Sequence, residues 1–202
     1  MSVGTAPTYA TLQDLRDYLS SSGNLGTAED GLLTDCLLAA ERAIEDYTRR
    51  RFGTTAGTIY YSRFTANVSG AALYTDEDIY AIRGGTVWNG DGQAIPAGSI
   101  WLEPRNEGPP YRVLRLYSTY VWTWNTDSEI AIPAAIGFSD RAPEAIRQAT
   151  REYAAFLYRA KDQGPGDVAG FEEGGIVQQP KGMPESVRRK LEPYRSRSGG
   201  VV

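Results

Sequence analysis

Arg49, Arg50 and Arg51 stand in a row where the helical stripe of AAERAIEDYT runs out, just ahead of Phe52 and Gly53. Three adjacent guanidiniums can grip phosphates, stabilise an anion that forms during catalysis, or complement the negative end of a helix dipole. The spacing supplies a reason for the last. Glu45 precedes Arg49 by four residues and Asp46 precedes Arg50 by four, each acid ahead of its base, which is the favourable order on a helix. Gly53 then supplies a stop signal. A partner-facing role for Arg50 or Arg51 stays open beside that structural one.

Other candidate chemistry is sparse. The chain has no histidine, which removes the commonest general base, the commonest metal ligand and every imidazole-based triad. Its one cysteine, Cys36, sits in an apolar helical pattern and reads as a buried, inert thiol. NGDG at 89–92 would need a glutamate at position 100 to open a calcium loop; that residue is Ile100, so a turn is expected. GPGDVAG follows a helix instead of a strand and lacks the G-x-G-x-x-G spacing. The acidic trio Asp76, Glu77 and Asp78 reads as a solvated loop. Paired carboxylates for glycoside chemistry come together only in the fold and have no specific support in the sequence. No catalytic residue, cofactor site or metal site is assigned, and the chain is not expected to be an enzyme.

The 202 residues suit one domain with a substantial insertion. The formal net charge of -4 is the opposite of what a freestanding nucleic-acid binder shows. No apolar run approaches the length of a transmembrane helix. MSVGTAPTYAT has neither basic charge nor an apolar run, so no signal peptide is expected there and synthesis in a cytoplasm is.

The pattern predicts an α+β chain. TLQD at residues 11–14 reads as a capping box that opens a first helix with Leu12, Leu15 and Leu19 on one stripe. Thr27 opens a second, with Leu33, Leu37, Ala40, Ile44 and Tyr47 in phase. If it runs from 28 to 51 it is about 36 Å long. Residues 58–138 change texture into short aromatic and β-branched runs between turn residues, a β-rich insertion of about six strands. All four tryptophans lie there. Such an aromatic surface could form a core and an interface, or a platform for sugar or single-stranded nucleic acid. Pro143 begins a third helix, whose apolar face is Ile146, Ala149, Tyr153, Phe156 and Leu157. The helical core is therefore expected in 11–57 and 139–163. A glycine-rich linker fills 164–182, and 183–202 forms a basic terminal arm with a short helix at 184–191. That helix is too short to be stable alone in water, so the arm is expected to be loosely held.

In this order the blocks LQDLRDYL, EDGLL, LLAAERAIEDYTRRRF, PYRVLRL, IGF, PEAIRQAT, AAFLYR and LEPYR resemble the head–tail connector, or adaptor, proteins of long-tailed bacteriophages. The resemblance spans most of residues 11–195, each block being weak alone. It implies a virion structural protein at the head–tail neck, made in the host cytoplasm. Twelve copies would form a ring between the portal protein and a head-completion (stopper) or tail-terminator protein, with double-stranded DNA passing through unbound and no membrane involved. An acidic channel would repel phosphates instead of gripping them. The basic arm would dock on the portal through Arg188, Arg189, Lys190, Arg195 and Arg197, with Leu191 and Tyr194 as its apolar anchor. Arg50 and Arg51 would be subunit or partner contacts. Another neck protein, smaller and mostly β, is the nearer alternative; a carbohydrate-binding module using the aromatic strands is the more distant one.

Overall fold

The computed structural model describes residues 9–20, 27–117, 119–160, 171–172, 175–176 and 182–196. It is α+β and divides into two compact units, residues 1–49 with 142–202, and residues 50–141.

In the first unit, α1 (Leu12–Ser20) opens with the expected reciprocal cap. The Thr11 N–H donates to Asp14 Oδ2 at 2.9 Å, and the Asp14 N–H donates to Thr11 Oγ1 at 3.1 Å. These bonds satisfy donors that the first helical turn leaves bare, and they hold the Asp14 carboxyl below its usual range. A 3-10 turn at Thr27–Glu29 precedes α2 (Asp30–Thr48), which therefore starts later than TAED suggested. The third helix, α3, is Glu144–Ala160. The seam of the unit is lined by small side chains. Cys36 and Ala40 share one buried cluster with Ala154 and Ala155, together with Leu15, Leu19, Leu33 and Leu37. Small residues let helix backbones approach, so the buried face of α3 is Ile146, Ala149, Thr150, Ala154 and Ala155. Tyr153, Phe156 and Leu157, expected on that face, are only partly buried.

Beyond α3, Phe171–Glu172 and Gly175–Ile176 pair as two short antiparallel strands within the segment read as a linker; the rest of 164–182, apart from Gly182, lies outside the described residues. The terminal helix α4 (Glu185–Leu191) continues into a 3-10 turn at Glu192–Tyr194.

The second unit is an antiparallel, near-barrel sheet of eight strands: β1 (Thr55–Ser62), β2 (Asn67–Ser69), β3 (Ala72–Ile82), β4 (Thr86–Trp88), β5 (Ala94–Pro96), β6 (Ile100–Glu103), β7 (Tyr111–Leu116) and β8 (Glu129–Ile136). The main path runs β5-β4-β8-β3-β7-β6, with β1 on β8 and β2 on β3. Its core is Leu73, Ile79, Val87, Ile95, Leu114, Ile130 and Ile132, all fully buried. Period-2 alternation supplies that inner face. Three strands have only three residues each, too short for a sequence period to reveal, which is why about six were expected and eight are present. NGDG makes the β4–β5 turn, closed by the Gly92 N–H on the Asn89 carbonyl at 2.9 Å. YVWTW is irregular backbone instead of a strand. It is pinned by its indoles: Trp122 Nε1 donates to the Ala71 carbonyl at 3.0 Å and Trp124 Nε1 to the Tyr61 carbonyl at 2.9 Å.

The two ends of the insertion run side by side. The Phe138 N–H donates to the Arg51 carbonyl at 2.8 Å and the Gly53 N–H to the Ser139 carbonyl at 3.0 Å. Gly137 has φ +146°, and a Cβ there would meet the Gly53 carbonyl oxygen at 2.1 Å, so only glycine allows this crossing.

Candidate functional site

The arginine run does not end a helix as a single block. α2 stops at Thr48, and Arg49 caps it in the left-handed region (φ 55°, ψ 36°), its N–H on the Glu45 carbonyl at 2.7 Å. No basic residue lies in the last turn of α2, so the expected dipole complement is replaced by a backbone cap. A glycine usually fills such a position; an arginine there gave no sequence signal, and Gly53 lies four residues too late.

Arg50 turns into the β unit. Its Nη1 lies 3.3 Å from Asp78 Oδ2, and Arg112 Nε donates to Asp78 Oδ1 at 2.6 Å. The Asp78 side chain is 4% exposed, so one buried carboxylate is clamped by two guanidiniums. Arg50 also lies over the Phe138 ring, 4.9 Å from its centroid, and Phe138 packs edge-on against Phe52 at 5.4 Å. Burial pulls the Arg50 pKa down while the Asp78 charge opposes that pull. This cluster joins the start of the insertion to β3 and β7, which is a structural role. Arg51 is exposed.

The acidic trio is not a solvated loop. It lies within β3, where the register against β7 shifts between Tyr74 and Ile79. The bulge separates the carboxylates: Asp76 accepts the Tyr61 hydroxyl at 2.6 Å, while Asp78 faces the arginines. Burial, reinforced by that carboxylate, raises the Tyr61 pKa well above the usual tyrosine range. Among the described residues no group of three Asp, Glu, Cys or His side chains could hold a metal ion, and no helix is long and apolar enough to cross a membrane.

The basic arm is packed where it is described. Val187 and Leu191, four apart on α4, are fully buried, and Met183 is buried beside them in the chain. Lys190 pairs with Glu152 of α3. The Tyr47 hydroxyl donates to Glu192 Oε2 at 2.8 Å, the Ser196 N–H donates to the Thr48 carbonyl at 2.7 Å, and the Arg195 guanidinium lies 5.2 Å from the centre of the Tyr47 ring. A seven-residue helix stabilised in this way no longer depends on its own propensity. Leu191, expected as an anchor for a partner, is turned into its own unit. Tyr194 is half-buried, Arg188 and Arg195 are exposed, and the Arg189 side chain is 80% exposed. Arg197 lies outside the described residues.

Large apolar side chains also reach solvent on the β unit, among them Tyr60, Phe64, Trp88 and Val121. The outward features of the described residues are a strip of arginines on and just after α4, paired locally with Glu185 and Glu192, and an aromatic surface on the sheet.

No family model matches the chain, and no curated protein does. Among the solved chains that share its fold are three from gene transfer agent particles. One, in the virion of a native gene transfer agent (GTA) particle, is 21% identical with a TM-score of 0.63, covering 96% of this chain and 93% of that one. Another, in the neck of the empty GTA particle computed with C6 symmetry, is 19% identical with a TM-score of 0.60, over 92% and 88% of the two chains. A third, in the neck of the native particle computed with C12 symmetry, is 17% identical with a TM-score of 0.58, over 92% and 87%. At these identities the likeness is one of fold, and it runs through both the helical unit and the insertion.

Proposed function

We propose that the protein is a structural component of the neck of a phage-like virion, and within that neck the head–tail connector that rings the portal. The observation that carries the reading is the likeness over nearly the whole chain to proteins in gene transfer agent virions and necks. The three-helix frame favours a connector over a head-completion or tail-completion protein, which would be smaller and mostly β. The symmetries of the similar structures fit a protein that works in six or twelve copies around one axis.

On this reading DNA passes through the assembly without specific contact, and a stopper or terminator protein docks on the far side. The portal meets α4. Arg188, Arg189 and Arg195 are exposed and outnumber their local partners Glu185 and Glu192, which leaves a net positive strip for an acidic surface, while buried Leu191 and Val187 hold the strip in place. Such a strip governs encounter and orientation more than affinity.

Native mass spectrometry with and without purified portal tests the reading. The chain alone is expected to be monomeric or weakly associated, and to load onto portal in many copies. Arg188→Glu with Arg189→Glu is expected to keep the fold and abolish loading. A tight dimer under both conditions, or wild-type loading by the double variant, counts against the reading.

A further inference from the structure

β1 has the sequence TAGTIYYS and pairs with β8 along its whole length, Thr55↔Ile136 to Ser62↔Glu129, with no shift of register. Among the described residues its other edge has no strand beside it. An open edge is normally guarded by a lysine, a proline, a bulge or shortness, because its bare N–H and C=O groups recruit another chain. β1 has none of these guards, although at its end the Tyr61 carbonyl accepts the Trp124 indole and the Ser62 N–H donates to Thr65 Oγ1. It is eight residues long, uncharged and regular. Thr55 to Thr58 are all exposed, on both faces of the strand.

The surface beside this edge carries the same signature. Tyr60 and Trp88 both pair with Ala131, one from each side, so the two aromatics stand on one outer face across a small residue. Tyr60 is 58% exposed and Trp88 is 50% exposed. In β1, β4, β5 and β8 the only charged residue is Glu129, at the end of β8. The opposite half of the sheet holds Asp76, Glu77, Asp78, Glu103, Arg112 and Arg115. β1 then leads into a turn whose Phe64 is 81% exposed. The open strand thus carries one exposed aromatic of a cross-strand pair, and the turn that follows it carries another exposed aromatic. Aromatics that become buried on association are the usual energetic centre of an interface.

We propose that the open edge of β1, with the Tyr60–Trp88 face and Phe64, is the seam that receives a second copy of this chain. The inference rests on the neck reading for the choice of occupant. Symmetric necks built from chains of this fold place identical copies side by side, and a ring needs each copy to offer a surface its neighbour can take. The strands of this face carry no cation, and Arg63, stacked 4.5 Å from the centre of the Phe64 ring, is a single charge beside it; that argues against nucleic acid, which needs several cations. A backbone edge joined to alternate side chains is the arrangement for adding a strand from another chain.

Two measurements on the purified full-length chain test this. With benzoylphenylalanine in place of Tyr60, irradiation at high protein concentration is expected to give multiples of the chain's own mass. In the unmodified chain, the fast-exchanging half of the Thr55–Ser62 amides, those facing away from β8, is expected to slow by about tenfold on raising the concentration. Tyr60→Lys with Trp88→Lys is expected to remove both effects without altering the circular dichroism. No self-product together with unchanged exchange overturns the seam. In assembled particles, a crosslink from residue 60 only to a different neck protein also overturns it. Absence of the chain from the neck, with self-products intact, would instead remove the neck reading and leave the seam standing.

Discussion

In the helical unit, ion pairs sit at the margin of the packing: Arg16 with Asp30, Arg147 with Asp14 and Glu144, Lys190 with Glu152. In the β unit, Asp78 is sealed between Arg50 and Arg112, while strands β1, β4 and β5, beyond β8 in the sheet, carry no charge at all. The difference follows from the elements. A helix has a solvent-facing side on which long charged side chains can meet every third or fourth residue. A coiled sheet that must turn at a bulge has a backbone irregularity to lock, and one buried carboxylate with two donors can lock it. Marginal pairs contribute little, and a buried charge cannot lose its partners cheaply.

The sharpest way to break the comparison is at Asp78. Asp78→Ala leaves two guanidiniums facing each other in a partly desolvated site, and is expected to destabilise the β unit by about 3–5 kcal/mol. Urea unfolding followed by tryptophan fluorescence checks this, since every tryptophan lies in that unit. A cost near that of Asp14→Ala at the α1 cap, about 1 kcal/mol, would show that the two units handle charge alike.

A smaller effect is expected from Leu191→Ala. The side chain is fully buried, and its truncation is expected to cost about 2–4 kcal/mol and to speed amide exchange in Glu185–Tyr194. Unchanged stability would return α4 to the loosely held arm that its length alone suggests.

The smallest effect sharpens the contrast at the junction of helix and insertion. Arg49→Gly removes a side chain from left-handed backbone, and is expected to raise stability by about 0.5–1 kcal/mol in thermal denaturation. A loss of stability would show that the Arg49 side chain matters more than its backbone.

Much of the helical unit was legible. The stripes of α1 and α2 bury Leu15, Leu19, Leu33 and Leu37, with Leu12 and Tyr47 only half-buried, and TLQD forms its cap. The β unit was legible as a texture but not as a list of strands. The apolar runs Ala72–Thr75 and Ile79–Ile82 belong to one strand, because the acidic residues between them occupy a bulge, and nothing local distinguishes a charged bulge from a charged loop. Arg50 illustrates the limit. Its helical spacing from Asp46 was visible, but its packing depends on Asp78, Arg112 and Phe138, which only the folded sheet brings together. The burial of Leu191 is legible in its four-residue spacing from Val187, but the three cations between them give the same segment the pattern of a solvated face. The aromatic seam was beyond sequence reasoning, because cross-strand register decides that Tyr60 and Trp88 share a face.

The paired crossing of residues 51–53 with 137–139 has a consequence for how such a protein can change over generations. A stretch of chain whose two ends leave and return at one hydrogen-bonded point adds little closure entropy to its host, and that cost grows only slowly with length. The whole β segment can therefore be lengthened, trimmed or exchanged between genes as a cassette, provided the glycine crossing survives. Sequence drift should be fastest inside that cassette and slowest at Gly53 and Gly137, two residues with no side chain to lose.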